Sequence, residues 1–220
     1  MPTTDAYVFD AYGTLFDVHA AVRRHAQKVG PDAALVSDIW RAKQLEYSWV
    51  RTLTGRYLDF WTLTQQALDH ALARVPSADA GARADLLDAY WELEAYPEVH
   101  GVLSALKEAG QRTAILSNGS PEMLQAAVRS AGLSELLDAV LSVDALQRYK
   151  TVEDTYRLVT DEFRLYPDAV SFQSSNRWDV AGATAFGFRT VWVNRTGQPD
   201  EYADLPPAVV LADLKGLPTA

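Results

Sequence analysis

The chain contains no cysteine, which excludes disulfides and any thiolate zinc site. Cations are scarce beside acids: 20 Lys and Arg stand against 29 Asp and Glu, a net charge of −9. That balance disfavours nucleic acid and anionic membrane as partners. An anionic small substrate would need a local cationic pocket. No apolar run approaches the ~20 residues a membrane helix requires. The opening stretch Met1-Pro2-Thr3-Thr4-Asp5 lacks the basic and apolar regions of a secretory leader. The four histidines, His19, His25, His70 and His100, show no metal-ligand spacing. What is present is a folding composition, 48% hydrophobic and 22% charged over 220 residues, enough for one or two domains. A cytoplasmic enzyme or binding protein is the expectation.

The most informative stretch is Val8-Phe9-Asp10-Ala11-Tyr12-Gly13-Thr14. An apolar run leads into a carboxylate, a glycine turn and a hydroxyl. This is the pattern of a strand that delivers an acid to its C-terminal end, where open parallel sheets bind ligands. A carboxylate there can act as a nucleophile. Read alone, Asp10 could also simply cap the next turn.

Along the chain the pattern divides in two. From about Val18 to Tyr96 it is helical, with Ile39-Trp40, Leu45, Trp49 and Leu53 at helical spacing. From Pro97 short apolar runs alternate with helices. Strands are predicted at Thr113–Ser117, Ala139–Val143, Ala169–Phe172, Thr190–Val193 and, at the edge, Val209–Leu211. Helices are predicted at Val102–Ala109, Asp154–Phe163 and Asp179–Phe186, and one starts at Ser120-Pro121, with Ser as N-cap and Pro at the first helical position. Alternation of this kind implies an α/β fold with a doubly wound parallel sheet. The first strand belongs to that sheet, so the helical block is an insertion that covers the first strand's end as a lid. The expected division is a Rossmann-like core of residues 1–16 and 97–220 and a cap of residues 17–96.

Four segments fall at predicted strand ends: Asp10–Thr14, Ser117-Asn118-Gly119, Lys150, and Ser174-Ser175-Asn176-Arg177-Trp178-Asp179. With them, over essentially the whole length, the chain resembles the haloacid dehalogenase superfamily and, within it, the L-2-haloacid dehalogenases. The finer matches are Asp-Ala-Tyr-Gly-Thr, Trp40-Arg41-x-Lys43-Gln44-Leu45-Glu46-Tyr47, Gly55-Arg56-Tyr57 with Asp59-Phe60-Trp61, Leu116-Ser117-Asn118-Gly119-Ser120, and Ser-Ser-Asn-x-Trp-Asp. Phosphatases of the superfamily carry a second Asp where this chain has Tyr12, and a magnesium-binding Asp where it has Ser175. A halide leaves without a proton, so the missing acid suits dehalogenation. Asp10 and Asp179 alone could still hold a magnesium ion.

The resemblance implies a metal-independent hydrolase without a cofactor. An ionised Asp10 displaces halide from carbon 2 of a short (S)-2-haloacid, and water then hydrolyses the aspartyl ester to the (R)-2-hydroxyacid. Lys150 is the expected cation. Thr14 and Tyr156 are expected to hold Asp10 and Lys150. Asp179, with Asn176 and Ser174, is expected to direct the water. Backbone amides of Ala11 and Tyr12 are candidate oxyanion donors. Ser117 and the amides near Asn118 are candidates for the substrate carboxylate. Arg41 is assigned to the departing halide or the carboxylate. Asn118, Phe60 and Trp178 are assigned to the halide pocket, and Leu45 to its apolar side. Without the resemblance, Ser117 reads as a strand-to-helix connector, Arg41 as a solvated arginine along the apolar stripe, and the aromatics as core. The implied partners are a 2-haloalkanoate, water and released halide, with a homodimer as the assembly.

The chain departs from the resemblance at Thr151, where a proline is usual, at Val152, and at Ala42, where a longer polar residue is common. The first two bear on the loop that carries Lys150, the third on substrate range. Two other readings stay open: a magnesium-dependent phosphatase on the same fold, and a catalytically silent binding protein.

Overall fold

A computed structural model describes residues 4–217; Met1-Pro2-Thr3 of the opening stretch lie outside it. The elements run β1 (Ala6–Phe9), α1 (Ala20–Arg24), α2 (Ala26–Val29), α3 (Ala33–Thr54), α4 (Phe60–Arg74), α5 (Arg83–Trp91), α6 (Val99–Glu108), β2 (Arg112–Ser117), α7 (Pro121–Ser130), β3 (Ala139–Ser142), α8 (Glu153–Phe163), β4 (Val170–Ser174), α9 (Arg177–Phe186), β5 (Arg189–Val193) and β6 (Val209–Leu211). The six strands form one sheet in the order β3-β2-β1-β4-β5-β6, and every pairing is parallel. The α/β class with an inserted helical cap is what the alternation implied.

β1 lies at the centre and all four of its residues are buried, as expected of a strand covered on both faces. The chain leaves β1, builds β2 and β3 to one side, and returns to β4 on the other. The strand order therefore reverses at the β1–β4 pair, and ligands bind in the crevice at such a reversal. Phe9 is in register with Gln173. Asp10 and the segment after Ser174 thus emerge side by side.

Helices α1 to α5 lie between β1 and α6 and are tied to the sheet by two adjacent crossings. Phe16 and Ala95 form an antiparallel bridge. Asp17 N–H donates to Glu94 O at 3.0 Å and Tyr96 N–H to Leu15 O at 2.9 Å. Among the described residues no helix is long and apolar enough to cross a membrane.

Two expectations about helices are corrected. The buried face of α3 is Ala33, Val36, Ser37, Trp40, Gln44 and Ser48, not the stripe through Leu45, Trp49 and Leu53. Leu53 is 85% exposed. The polar residues are tolerated inside because each is bonded. Gln44 Nε2 donates to Thr64 Oγ1 at 2.7 Å, and Ser48 Oγ donates to Leu45 O at 2.7 Å. Helix α9 begins at Arg177 rather than Asp179, with Asn176 as its N-cap residue. Asp179 is therefore in the first helical turn, where a negative charge is favoured. The start of α7 is as read: Pro121 is in its first turn and Ser120 Oγ accepts from Met123 N–H.

Candidate active site

Asp10 is the first residue beyond β1, and its N–H donates to Gln173 O at 2.9 Å. The chain then turns at Gly13, whose φ of +94° a side chain would strain. That turn brings Thr14 back beneath the carboxylate. Thr14 Oγ1 donates to Asp10 Oδ2 at 3.1 Å, and Asn176 Nδ2 to the same oxygen at 2.7 Å. Lys150 Nζ reaches the other oxygen, Oδ1, at 3.0 Å. The carboxylate is buried and each of its oxygens has a defined donor.

The Lys150 ammonium, with no side-chain exposure, stands between two acids, Asp10 and Asp179, the latter at 2.8 Å. Burial works against its charge, but the two carboxylates outweigh that and raise its pKa. Asp179 is wholly buried. Burial lifts its pKa, Lys150 draws it back and the Asp10 charge pushes it up again, leaving it at about 6. The loop carrying Lys150 is held by Asn118, whose Oδ1 accepts from Lys150 N–H at 3.0 Å.

Tyr156 does not hold Lys150. Its hydroxyl donates to Asp179 Oδ1 at 2.8 Å. The ammonium already has its two acceptors, and the phenol on α8 faces α9 instead. Burial, then the Asp179 charge, raises the Tyr156 pKa well above its usual value, so it remains a donor. Ser174 Oγ accepts from Asn176 N–H at 3.1 Å, and Ser117 Oγ from Gly119 N–H at 3.2 Å. Both hydroxyls shape the turns at their strand ends. The N–H groups of Ala11, Tyr12 and Asn118 donate to no group among the described residues. They are unused donors beside the Asp10 carboxylate and at the end of β2.

Tyr12 is buried between core and cap. Its ring stacks on Tyr90 at 5.8 Å and tilts against Phe60 at 5.9 Å. Gly119 makes room for it, since a Cβ there would come within 2.7 Å of the ring. Phe60 also packs on Tyr149. Trp178 pairs edge-to-face with Trp49 of the cap, at the rim of a groove of about 1040 Å³ between α8 and α9. That groove borders Lys150 and Trp178 but not Asp10. Leu45 is half-buried on the cap helix.

Arg41 reaches from the cap to the core. Its guanidinium donates to Tyr12 O at 3.0 Å, to Asn176 Oδ1 at 3.3 Å and to Gln44 Oε1 at 2.8 Å. All these acceptors are neutral, and among the described residues no carboxylate pairs with it. The solvated-arginine reading is thereby displaced. Sequence reasoning singled out Arg41 but missed its supports Gln44 and Tyr90. Gln44 could have been noticed as a long polar residue one helical turn beyond Arg41.

The model of the haloacid dehalogenase-like hydrolases matches residues 4–187. This chain belongs to that family. It is 50% identical over 214 residues to (S)-2-haloacid dehalogenase 1 of Pseudomonas sp. (strain CBS-3), covering 97% of this chain and 94% of the relative. A crystal structure of a dehalogenase superposes with TM-score 0.96 at 47% identity, over 99% of this chain and 96% of that one. The L-2-haloacid dehalogenase of Xanthobacter autotrophicus, solved with chloropropionic acid covalently bound, superposes with TM-score 0.86 at 37% identity, over 98% and 100% of the two chains. Family membership extends through both the sheet and the helical cap.

Proposed function

We propose that this chain is an (S)-2-haloacid dehalogenase that hydrolyses short 2-haloalkanoates through an ester on Asp10. Residues 1–16 and 97–220 form the core that carries the chemistry, and residues 17–96 the cap that completes the site. The observation that carries the reading is the pairing of a buried, three-donor Asp10 carboxylate with the unpaired cation of Arg41, where no acid stands at position 12. The covalently bound relative from Xanthobacter autotrophicus supports the ester.

The substrate carboxylate pairs with Arg41 and the free N–H at Asn118. Asp10 attacks carbon 2 from the side opposite the halogen. The carbon–halogen bond breaks as the carbon–oxygen bond forms, halide leaves with the electron pair, and the configuration inverts. No proton is needed, which is consistent with the aromatic ring at Tyr12. Water then adds to the Asp10 carboxyl carbon and gives its proton to Asp179, whose other oxygen is fixed by Tyr156. The N–H groups of Ala11 and Tyr12 receive the developing oxyanion. Collapse expels the carbon-2 alkoxide, which takes that proton back from Asp179 and leaves as the (R)-2-hydroxyacid; the remaining carboxyl proton passes to solvent and the Asp10 carboxylate is restored. Asn176 and Ser174 hold the turn, while Phe60, Trp178 and Leu45 supply apolar walls.

A divalent cation does not fit this donor set. The Lys150 ammonium occupies the space between Asp10 and Asp179, and Ser175 supplies a neutral hydroxyl. Among the described residues no group of three His, Asp or Glu is placed to hold a metal. The exposed Trp49, Val50 and Leu53 gathered at the C-terminal end of α3 are the apolar surface that supports a homodimer.

The test is halide release from L- and D-2-chloropropionate in excess EDTA, with chiral analysis of the lactate formed. Release from the L form alone, yielding D-lactate, is expected. Asp10→Asn should abolish turnover and leave the fold intact. A requirement for magnesium, or turnover by Asp10→Asn, overturns the reading.

A further inference from the structure

The segment Trp192-Val193-Asn194-Arg195 reads in sequence as nothing more than a strand end and loop. In the structure Arg195 reaches the place where the chain passes between core and cap. Its side chain is only 14% exposed and its partner Glu98 only 6%. Nη1 donates to Glu98 Oε1 at 2.6 Å and Nη2 to Thr14 O at 2.9 Å. The guanidinium carbon lies 3.7 Å from the centre of the Tyr96 ring. Thr14 stands at the start of the outgoing crossing. Tyr96 and Glu98 stand on the returning one. One side chain from the end of β5 therefore grips both.

We infer that Arg195 is a positioning residue that fastens the two cap–core crossings to the Asp10 turn. Three features point that way. The planar guanidinium forks to two acceptors and stacks on a ring at once, which a lysine cannot do. Its Nε is buried with no partner, a cost accepted only where the other contacts hold the group in place. The gripped residues are joined to the site. Thr14 Oγ1 donates to Asp10 Oδ2 and accepts from Ser175 N–H at 2.8 Å. The Leu15 carbonyl next along receives Tyr96 N–H. Releasing Arg195 frees the crossings, and the cap then samples positions in which Arg41 is off Tyr12 and Asn176. The apparent affinity for a substrate that needs the docked cap falls by the docked fraction.

The experiment uses the full chain with Arg195→Lys and Arg195→Met, and has two arms. Amide hydrogen exchange is followed at Asp17 and Tyr96, whose N–H groups bridge the crossings, with Val8 and Ile115 in the sheet as controls. Both variants should exchange about tenfold faster at Asp17 and Tyr96 and unchanged at the controls, the mark of local opening. The second arm is 2-chloropropionate turnover and rests on the dehalogenase reading. KM should rise about tenfold with kcat within about threefold, the affinity cost of a partly docked cap. A merely structural residue would leave KM alone. Unchanged exchange at Asp17 and Tyr96, or exchange rising equally throughout the sheet, overturns the inference. Failure of the wild-type chain to release halide overturns only the dehalogenase reading, because the exchange arm needs no substrate. Should both Arg195 variants fail to fold, Glu98→Gln must still speed exchange at Asp17 and Tyr96 by a smaller factor, and its failure to do so overturns the inference equally.

Discussion

Arg41, carried on a cap helix, donates to the backbone carbonyl of Tyr12 on the core at 3.0 Å. The contact joins the cap to the turn that follows Asp10. It also leaves a guanidinium with only neutral acceptors, poised for an anion. A charge-assisted pair to a carboxylate is roughly twice as strong as a neutral hydrogen bond.

Arg41→Lys keeps the charge but loses the planar fork, and Arg41→Ala loses both. Steady-state kinetics on L-2-chloropropionate should show kcat/KM down by about 10²-fold for Ala and somewhat less for Lys, since ~1.4 kcal/mol corresponds to each factor of ten. Equal kcat/KM in the alanine variant would remove Arg41 from the substrate site.

On the proposed reading Asp179 takes the proton of the hydrolytic water, and the pH dependence of turnover follows its pKa. With a pKa of about 6, it accepts a proton only when the pH is above that value. Ester hydrolysis, followed by rapid quench and mass of the Asp10 peptide, should slow progressively below about pH 6, while ester formation persists. Asp179→Asn should accumulate ester at every pH. The same shift acts on stability in the opposite sense. A carboxyl whose pKa rises on folding stabilises the fold while protonated, below its unfolded pKa near 3.8. That contribution is lost as the pH climbs through about 6. Denaturant titrations of wild type and Asp179→Asn at pH 4.5 and 7 test it: the variant should lack this part of the pH dependence.

Gly182, on α9, gives the Tyr156 hydroxyl its room. A Cβ at Gly182 would collide with the Tyr156 oxygen and lie 2.7 Å from Thr151 Cβ. Gly182→Ala should displace the phenol from Asp179 and slow ester hydrolysis by about 10²-fold, the lower range for a disturbed general base. Overpacking of this kind costs about 1–3 kcal/mol, offset in part by the ~1 kcal/mol that alanine gains over glycine in a helix. The stability change is therefore modest. Adding Tyr156→Phe to Gly182→Ala should cost little more than either change alone, because both act through one hydroxyl. Fully additive losses would separate the two residues.

The strand ends that meet at the crevice were legible because their signals are local. A glycine turn after an apolar run marks Asp10, and Ser-Pro marks the start of α7. The α3 face was misread because hydrophobic periodicity cannot see that Gln44 and Ser48 find partners inside. Tyr156 was given the wrong neighbour for a related reason: which of two buried groups a phenol meets depends on how α8 packs on α9. Gly182 and Arg195 carried no signal in sequence. The importance of each lies in contacts with residues distant along the chain, as when Arg195 meets Thr14 181 positions away.

Phe16 and Ala95 lie side by side where the chain leaves the sheet and returns to it. A segment whose two ends meet at one doorway can be exchanged without altering strand order or register. Asp10, Lys150 and Asp179 all remain on the sheet side of that doorway, and Arg41 lies beyond it. On the proposed division of roles, a graft of residues 17–94 between relatives should carry substrate preference with it and leave the ester chemistry behind.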